Sequence, residues 1–147
     1  MACERSRLMI DPTKTSILST LEISSSRWID GESQSGLSLI EEFTFDLKRV
    51  FFLETTSSAV TRGAHAHKVC NQALLTQGGS FSLKISDSVE TKEFTSNKNS
   101  ILLVPAGIWV EVALEPYSRL IVLCDQPFDE SDYIRDWFSF REWKKLT

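Results

Sequence analysis

Short alternations of apolar and polar residues recur along most of the chain. In residues 81–86, Phe81, Leu83 and Ile85 alternate with Ser and Lys, which is the pattern of a half-buried antiparallel strand. Similar segments, rich in Val, Ile, Phe, Leu and Thr, are separated by polar, Gly or Pro breaks. They cover residues 37–41, 48–54, 64–69, 72–76, 81–86, 90–95, 101–104, 109–114 and 119–125. Many short strands at such spacing predict an all-β sandwich or barrel.

The first residues lack this pattern. Residues 1–26 are rich in Ser and Thr and have weak periodicity. We expect them to form an N-terminal lead-in, with one strand around residues 16–23. A single folded domain is expected over residues 27–147, which suits the length of one domain.

The C-terminal segment has helical spacing instead. The run Asp129–Asp132 predicts a helix start, because acidic and Ser residues favour N-caps and first turns. Tyr133, Trp137, Phe140 and Trp143 then follow at helical intervals. We expect a short C-terminal helix whose aromatic stripe packs on the barrel or on a partner subunit.

Charge and cysteine content narrow the class of protein. The chain has 16 basic and 20 acidic residues, a net charge of −4, which argues against a nucleic-acid binder. No apolar run approaches the ~18 residues of a membrane span, and the first residues do not resemble a signal peptide. Cys3, Cys70 and Cys124 are an odd number without CxxC spacing, which is typical of reduced thiols. These features predict a cytoplasmic protein that binds neither nucleic acid nor membrane.

The candidate chemistry centres on the chain's two histidines, His65 and His67. Side chains two residues apart in a strand point to the same face, so both imidazoles share one face and Ala66 takes the other. Small Ala64 and Ala66 on that other face would let the strand pack closely. Imidazole exchanges protons near neutral pH, and a same-face pair therefore predicts an acid–base site.

The histidine pair resembles the first signature of the cupin superfamily. In that signature, His-x-His is followed by four residues and a Glu, whereas this chain has Gln72 at the Glu position. The second signature places a His shortly after Pro-x-Gly, where this chain has Val110. Neither replacement is a good metal ligand, and catalytic metal sites typically keep three protein ligands. The resemblance implies an antiparallel cupin (jelly-roll) barrel without metal or other cofactor; a metal-dependent oxygenase is the least favoured alternative.

A closer resemblance covers roughly residues 27–143. The chain is similar to the metal-independent nucleotide-sugar 3,4-ketoisomerases, small cupins that act on thymidine-diphosphate 4-keto-6-deoxyglucose. The matching segments are Lys48–Val50, Arg62-Gly63-x-His65-Ala66-His67-Lys68, Gln72, Val104-Pro105-x-Gly107-x-Trp109 and Asp129-Glu130-x-Asp132-Tyr133-Ile134-Arg135. The resemblance implies an enzyme of deoxy-amino-sugar biosynthesis for surface polysaccharides.

The family reaction assigns roles to individual residues. His65 would remove the C3 proton to form an enediol, and reprotonation at C4 would move the ketone to C3. His67 would orient His65 or serve the sugar oxygens. The residues expected to bind the substrate are Arg49, Phe51, Arg62, Lys68, Gln72 and Trp109. Among them, the cations would stabilise enolate or diphosphate charge and Trp109 would wall the pocket.

Two positions depart from the family pattern. The family usually has a tyrosine in the aromatic pair where this chain has Phe51 and Phe52, and it commonly has a His at Val110. Two alternatives therefore stay open: a non-catalytic cupin that binds a nucleotide sugar, and an epimerase or tautomerase acting on a related nucleotide sugar. Because the aromatic tail exceeds what a small barrel needs and relatives form dimers, we also expect a homodimer.

Overall fold

Two five-stranded antiparallel sheets form the body of the protein. The computed structural model describes residues 12–14, 21–24, 26–30, 35–39, 46–95 and 100–146. The strands are β1 (Leu21–Ser24), β2 (Ser26–Asp30), β3 (Ser35–Leu39), β4 (Arg49–Glu54), β5 (Val60–His67), β6 (Gln72–Gly78), β7 (Phe81–Ser86), β8 (Thr91–Thr95), β9 (Ser100–Val104), β10 (Trp109–Leu114), β11 (Arg119–Cys124) and β12 (Tyr133–Ile134).

The strand order is that of a cupin-like sandwich. The first sheet runs β1-β9-β6-β11-β4 and the second runs β12-β5-β10-β7-β8, while β2 and β3 form a separate ribbon. All strand pairs are antiparallel. The predicted all-β cupin fold with one short C-terminal helix is confirmed.

Alternating side chains build the core between the two sheets. In β7, Phe81, Leu83 and Ile85 are at most 3% exposed, while the intervening Ser82 and Lys84 face solvent. The same alternation in β10 and β11 turns Val112, Leu114, Leu120 and Val122 inward, among others. Burying each such side chain stabilises the fold by roughly 1.5–3 kcal/mol.

The strand registers define two ends of the sandwich. At one end, Cys124 lies opposite both Arg49 and Gln72, and the second sheet contributes His67 where β5 ends. We call this the histidine end. At the other end, Arg119 lies opposite both Glu54 and Gly78. We call this the opposite end.

The C-terminal helix, α1, spans Trp137–Lys145 and starts later than the sequence predicts. Its N-cap is Asp136, whose carboxylate accepts a hydrogen bond from the Ser139 backbone N–H. The predicted start at Asp129 is wrong, because the Asp129 carboxylate caps only a short 3-10 turn over Glu130–Asp132.

Tyr133 is likewise not helical, although the aromatic spacing predicted that it would be. It lies in β12, opposite His67, and the neighbouring Ile134 lies opposite Ala66. The rest of the stripe does pack on the chain's own barrel. Phe140 is fully buried against Ala66 and Trp109, with Trp143 beside it. Small Ala66 therefore gives the helix room on the outer face of β5.

The N-terminal part joins the first sheet through β1, which pairs with β9. The predicted strand at residues 16–23 overlaps β1 at residues 21–23, and residues 16–20 lie outside the described residues. Among the described residues, no helix is long and apolar enough to cross a membrane.

Candidate active site

A bulge in β5 sets the position of the histidine pair. His65 lies opposite Val110 and Gly63 lies opposite Glu111, so Ala64 is an extra residue in β5. Gly63 and Ala64 both have positive φ, 93° and 58°. A Cβ on Gly63 would lie 2.7 Å from the Val110 carbonyl oxygen, so this position requires glycine. Bulges of this kind re-aim side chains beside active sites.

Both imidazoles point into the histidine end. Their ring centroids are 5.1 Å apart, and the rings are nearly perpendicular. Ala66 points to the outer face and is completely buried there. The predicted sharing of one face by His65 and His67 is therefore what the structure shows.

A carboxylate holds His67 from the neighbouring turn. The Asp132 Oδ2 atom lies 2.7 Å from His67 Nδ1, and Asp132 Oδ1 accepts a 2.7 Å hydrogen bond from the Val69 backbone N–H. The Lys68 N–H donates to the Asp132 carbonyl oxygen, which ties the turn to the end of β5. Sequence reasoning did not assign Asp132 a site role, although the residue stands in the Asp-Tyr-Ile-Arg run.

These contacts decide which nitrogen of His67 carries the proton. Burial holds the pKa of His67 below its ordinary value, even though the hydrogen bond to Asp132 opposes this shift. The ring is therefore neutral at neutral pH. Since an ionised carboxylate only accepts, Nδ1 carries the proton and donates it to Asp132. His67 Nε2 then has a free lone pair, and it is buried without a hydrogen-bond partner.

His65 is a neutral imidazole for a related reason. Burial, followed by the proximity of His67, lowers the pKa of His65 to about 4, while the Gly63 backbone opposes the shift. Within the described part of the chain, His65 Nδ1 is buried without a hydrogen bond of good geometry, and the Gly63 backbone is a polar neighbour that favours the charged ring. Two neutral imidazoles thus present unpaired nitrogens at one end of the barrel.

Tyr133 packs against both histidines. Its ring centroid lies 4.4 Å from that of His67 and 5.0 Å from that of His65. Arg135 lies over the tyrosine ring, with its Cζ atom 4.3 Å from the centroid. Sequence reasoning placed Tyr133 on a helix and missed this contact, which only the pairing of β12 with β5 creates.

Arg49 brings a positive charge to the same end. Its Nη2 donates to Cys124 Sγ at 3.4 Å, and its Nε is buried without a partner. The guanidinium also lies 5.6 Å from the ring centroids of Phe51 and Phe128. The charge of Arg49 contributes to the lowered pKa of His67, which places the two groups close together.

Cys124 is the partner that holds Arg49. A hydrogen bond with Cys70, together with those from Arg49 and Gln72, lowers the pKa of Cys124 below its ordinary value, although burial opposes the shift. Gln72 Nε2 lies 3.6 Å from Cys124 Sγ, so Gln72 contributes to the site by supporting this sulfur. The sequence indicated reduced thiols here but no link to the site.

Three predicted substrate-binding residues lie elsewhere. Trp109 does not wall the barrel interior: it lies opposite Ala66 on the outer face, where it packs against Phe140. This prediction was wrong because strand alternation turns Trp109 away from the histidines. Arg62 is exposed, beyond the bulge. Lys68 donates to the Ser131 carbonyl oxygen and lines an outer cleft.

The cupin metal positions hold no ligand set. Val110 is part of the apolar core and Gln72 binds Cys124. Within the described residues, one other group brings ligand atoms within 4.8 Å of one another: His67, Cys70 and Asp132. The predicted absence of a metal stays a prediction, which metal analysis of purified protein tests.

Similarity to known proteins agrees with this arrangement. The TDP-4-oxo-6-deoxy-alpha-D-glucose-3,4-oxoisomerase of Aneurinibacillus thermoaerophilus is 31% identical over 119 residues, covering 76% of this chain and 84% of that protein. A 3,4-ketoisomerase from Helicobacter canadensis has a TM-score of 0.77 and 26% identity, covering 86% of this chain and 98% of that one.

Solved structures of QdtA, a sugar 3,4-ketoisomerase from Thermoanaerobacterium thermosaccharolyticum, are also similar. The complex with TDP has a TM-score of 0.78 and 25% identity, covering 88% of this chain and 96% of that one. A mutant in complex with TDP-4-keto-6-deoxyglucose has a TM-score of 0.75 and 26% identity, covering 86% of this chain and 95% of that one. A family model described as "FdtA: WxcM-like, C-terminal" matches residues 19–145. The chain therefore belongs to the FdtA (WxcM-like, C-terminal) family and is a sugar-nucleotide isomerase of the 3,4-ketoisomerase class.

Proposed function

We propose that the chain converts a TDP-linked 4-keto-6-deoxyhexose into its 3-keto isomer. One observation carries the proposal: among the described residues, Arg49 Nε, His65 Nδ1 and His67 Nε2 are all buried without a hydrogen bond of good geometry. An unsatisfied buried polar atom costs about 1–3 kcal/mol. Three of them at one end supply partners for the sugar oxygens and for the transferred proton.

The reaction needs a base that removes the proton from C3. It also needs a group that stabilises the negative charge developing on the ketone oxygen. The C4 ketone acidifies the C3 proton, so a base can remove it and form an enediol. Reprotonation at C4, with loss of the O3 proton, leaves the ketone at C3. Such acid–base catalysis contributes roughly 10²–10⁴-fold.

His65 is the residue we assign to the carbon-bound proton. It is neutral at neutral pH and has an unpaired Nδ1, whereas the Nδ1 of His67 is held by Asp132. A pKa of about 4 makes His65 a weak base in the free protein. The diphosphate of a bound substrate is anionic and would raise the pKa of His65 towards the range that favours proton transfer.

Cations surround the site on two sides. Arg49 lies at the same end as the histidines and stabilises the negative charge that develops on oxygen in the transition state. On the other side, Lys68 and Arg135 line an outer cleft of about 510 Å³ that also includes Tyr133. Since the tyrosine ring contacts both histidines, the cleft adjoins the site, and we assign the diphosphate to Lys68 and Arg135.

Proton exchange followed by NMR tests the reaction. Purified protein is mixed with TDP-4-keto-6-deoxyglucose in deuterated water, and the C3 and C4 signals are followed. We expect loss of the C3 proton and appearance of a 3-keto product. His65→Asn and His67→Asn serve as matched variants, and we expect His65→Asn to abolish exchange at C3.

Each other outcome selects another function. Exchange at C3 without a 3-keto product would indicate an epimerase or tautomerase. Binding of the nucleotide sugar without any exchange would indicate a non-catalytic binding cupin. A 3-keto product would be a substrate for an aminotransferase, in keeping with deoxy-amino-sugar biosynthesis for surface polysaccharides.

We also propose that the protein is a homodimer formed through the outer face of the first sheet. Phe52 on β4 is 57% exposed and Val50 is 42% exposed. On the neighbouring strand β11, Ile121 lies opposite Phe52. Leu75 on β6 lies opposite Ile121 on its other side. An apolar row on a solvent-facing sheet is typical of an interface. The aromatic tail, in contrast, mostly covers the chain's own second sheet.

Light scattering at micromolar concentration tests the dimer. We expect twice the chain mass for the natural protein and a shift towards monomer for Phe52→Asp. Val89→Asp is the matched control, since Val89 is an 89% exposed apolar residue in the β7–β8 connection. A monomer mass for the natural protein would overturn the proposal.

A further inference from the structure

The proposed reaction needs a group that moves protons on the sugar oxygens. As the C3 proton leaves, O4 must gain a proton, and as the C3 ketone forms, O3 must lose one. The aromatic pair Phe51 and Phe52 has no hydroxyl to do this. The oxygen-bound proton must therefore be carried by another group at the histidine end, either His67, whose Nδ1 is held by Asp132, or a hydroxyl.

Strand pairing places a phenol at this point. Tyr133 lies directly opposite His67 in the β12–β5 ladder, and opposite residues in a ladder project their side chains on the same face. The tyrosine ring consequently lies 4.4 Å from the His67 ring and 5.0 Å from the His65 ring. No other described tyrosine competes for the role, because Tyr117 is 74% exposed in the turn before β11.

Two guanidinium groups flank the phenol. Arg135 lies over the ring at 4.3 Å, and a bidentate contact with Glu130 holds its guanidinium there. Burial by itself would lower the pKa of Arg49. Contacts with Cys124 and Tyr133 outweigh this effect and raise the pKa above its ordinary value. Cations placed this way stabilise the negative charge that forms on a phenol oxygen when it gives up its proton.

We propose that the Tyr133 hydroxyl is the catalytic acid and base for the sugar oxygens. His65 takes the proton from C3 while Tyr133 gives its proton to O4, which forms the neutral enediol. Tyr133 then takes the proton from O3 as the C3 carbonyl forms, and protonated His65 returns its proton to C4. Both side chains end in their starting states, so atoms and charge balance. The assignment rests on the proposed function.

Tyr133→Phe tests the assignment, with Tyr117→Phe as the matched control. Both variants remove one phenol oxygen, but only the first removes it from the histidine end. We expect Tyr133→Phe to lower kcat by ~10²–10⁴-fold, while its affinity for TDP stays that of the natural protein. We expect Tyr117→Phe to keep full activity. Thermal unfolding of both variants checks that the fold is intact.

A fluorinated tyrosine distinguishes a proton-transfer role from a packing role. In the Tyr117→Phe background, Tyr133 is the chain's one tyrosine, so global incorporation of 3-fluorotyrosine alters this site alone. Fluorine makes the phenol more acidic. We therefore expect the basic limb of the kcat–pH profile to move to lower pH, which a packing role would not cause.

The outcomes separate this inference from the proposed function. If the natural protein forms no 3-keto product, the proposed function fails before Tyr133 is tested. If the natural protein is active and Tyr133→Phe keeps its kcat, or fluorination leaves the pH profile unmoved, the assignment of Tyr133 is overturned.

Discussion

The two ends of the sandwich treat buried polar groups differently. At the opposite end, the Thr55 hydroxyl donates to the Glu115 carbonyl oxygen at 2.6 Å and accepts from the Ser118 backbone N–H at 2.9 Å. The Ser118 hydroxyl in turn donates to the Ser80 carbonyl oxygen at 3.0 Å and accepts from the Ser80 N–H at 3.1 Å. This network satisfies itself within the chain.

The histidine end leaves one buried atom of each of three polar side chains without a partner among the described residues. Of the four buried side-chain atoms without a partner in the described part of the chain, three belong to Arg49, His65 and His67. The fourth is Thr76 Oγ1, further along β6. The opposite end thus uses its polar groups for stability, whereas the histidine end keeps bonding capacity for the substrate we propose. Substitutions at the two ends should therefore affect different measurements.

The largest effect is expected from His65→Asn. Asparagine cannot act as the base, so we expect kcat to fall by ~10²–10⁴-fold. The free energy of unfolding at pH 7 should change far less than kcat, because His65 Nδ1 makes no hydrogen bond of good geometry to the described residues that the substitution could remove. Steady-state kinetics and urea unfolding measure the two quantities. Full activity in the variant would show that the histidine end is not the reaction centre.

The pH dependence of stability gives the second effect. The pKa of His65 is about 4 in the folded protein and 6.5 ordinarily, so between these values the unfolded chain binds a proton that the folded chain does not. The free energy of unfolding should thus have its full value above pH 6.5. It should fall by about 3 kcal/mol as the pH is lowered to 4. The lowered pKa of His67 acts in the same direction.

Urea unfolding across this pH range measures the loss. His65→Asn is the control, and its stability should decline less steeply because one of the two titrating imidazoles is gone. Equal slopes in the two proteins would mean that His65 is not buried as a neutral ring.

Asp132→Asn should have the third largest effect. The amide can donate as well as accept, so it no longer fixes the proton of His67 on Nδ1. We expect kcat to fall, but by less than for His65→Asn, because Asp132 does not touch the substrate and acts only through His67. Nitrogen NMR shifts of the imidazole report the tautomer. An unchanged tautomer would contradict the positioning role, whatever the activity.

Ser118→Ala should have the smallest effect, and on stability rather than rate. The substitution leaves the Ser80 backbone groups without their side-chain partner, so the free energy of unfolding should fall by about 1–3 kcal/mol. At a temperature where the variant is folded, kcat should match that of the natural protein. A loss of kcat without a loss of stability would contradict the assignment of stability to the opposite end and of the reaction to the histidine end.

Local pattern was sufficient for most of the fold and for the centre of the site. Strict alternation in residues 81–86 predicted β7, and the i, i+2 spacing of His65 and His67 predicted their common face. Alternation is a property of neighbouring residues, so it can be seen without knowing which strands pair. The run Arg62–Lys68 was specific enough to indicate the family.

Only tertiary structure decided which distant residues join the histidines. The spacing of Tyr133 to Trp137 and Phe140 matches a helical period, so local pattern placed Tyr133 on a helix, whereas pairing with β5 makes it a strand residue opposite His67. Asp132 reaches His67 from 65 positions away. Sheet registers between distant segments are not written in local periodicity. The sequence by itself thus determined the barrel, the histidine pair and the family, while the pairing of β12 with β5 decided that Asp132 and Tyr133 lie against the histidines.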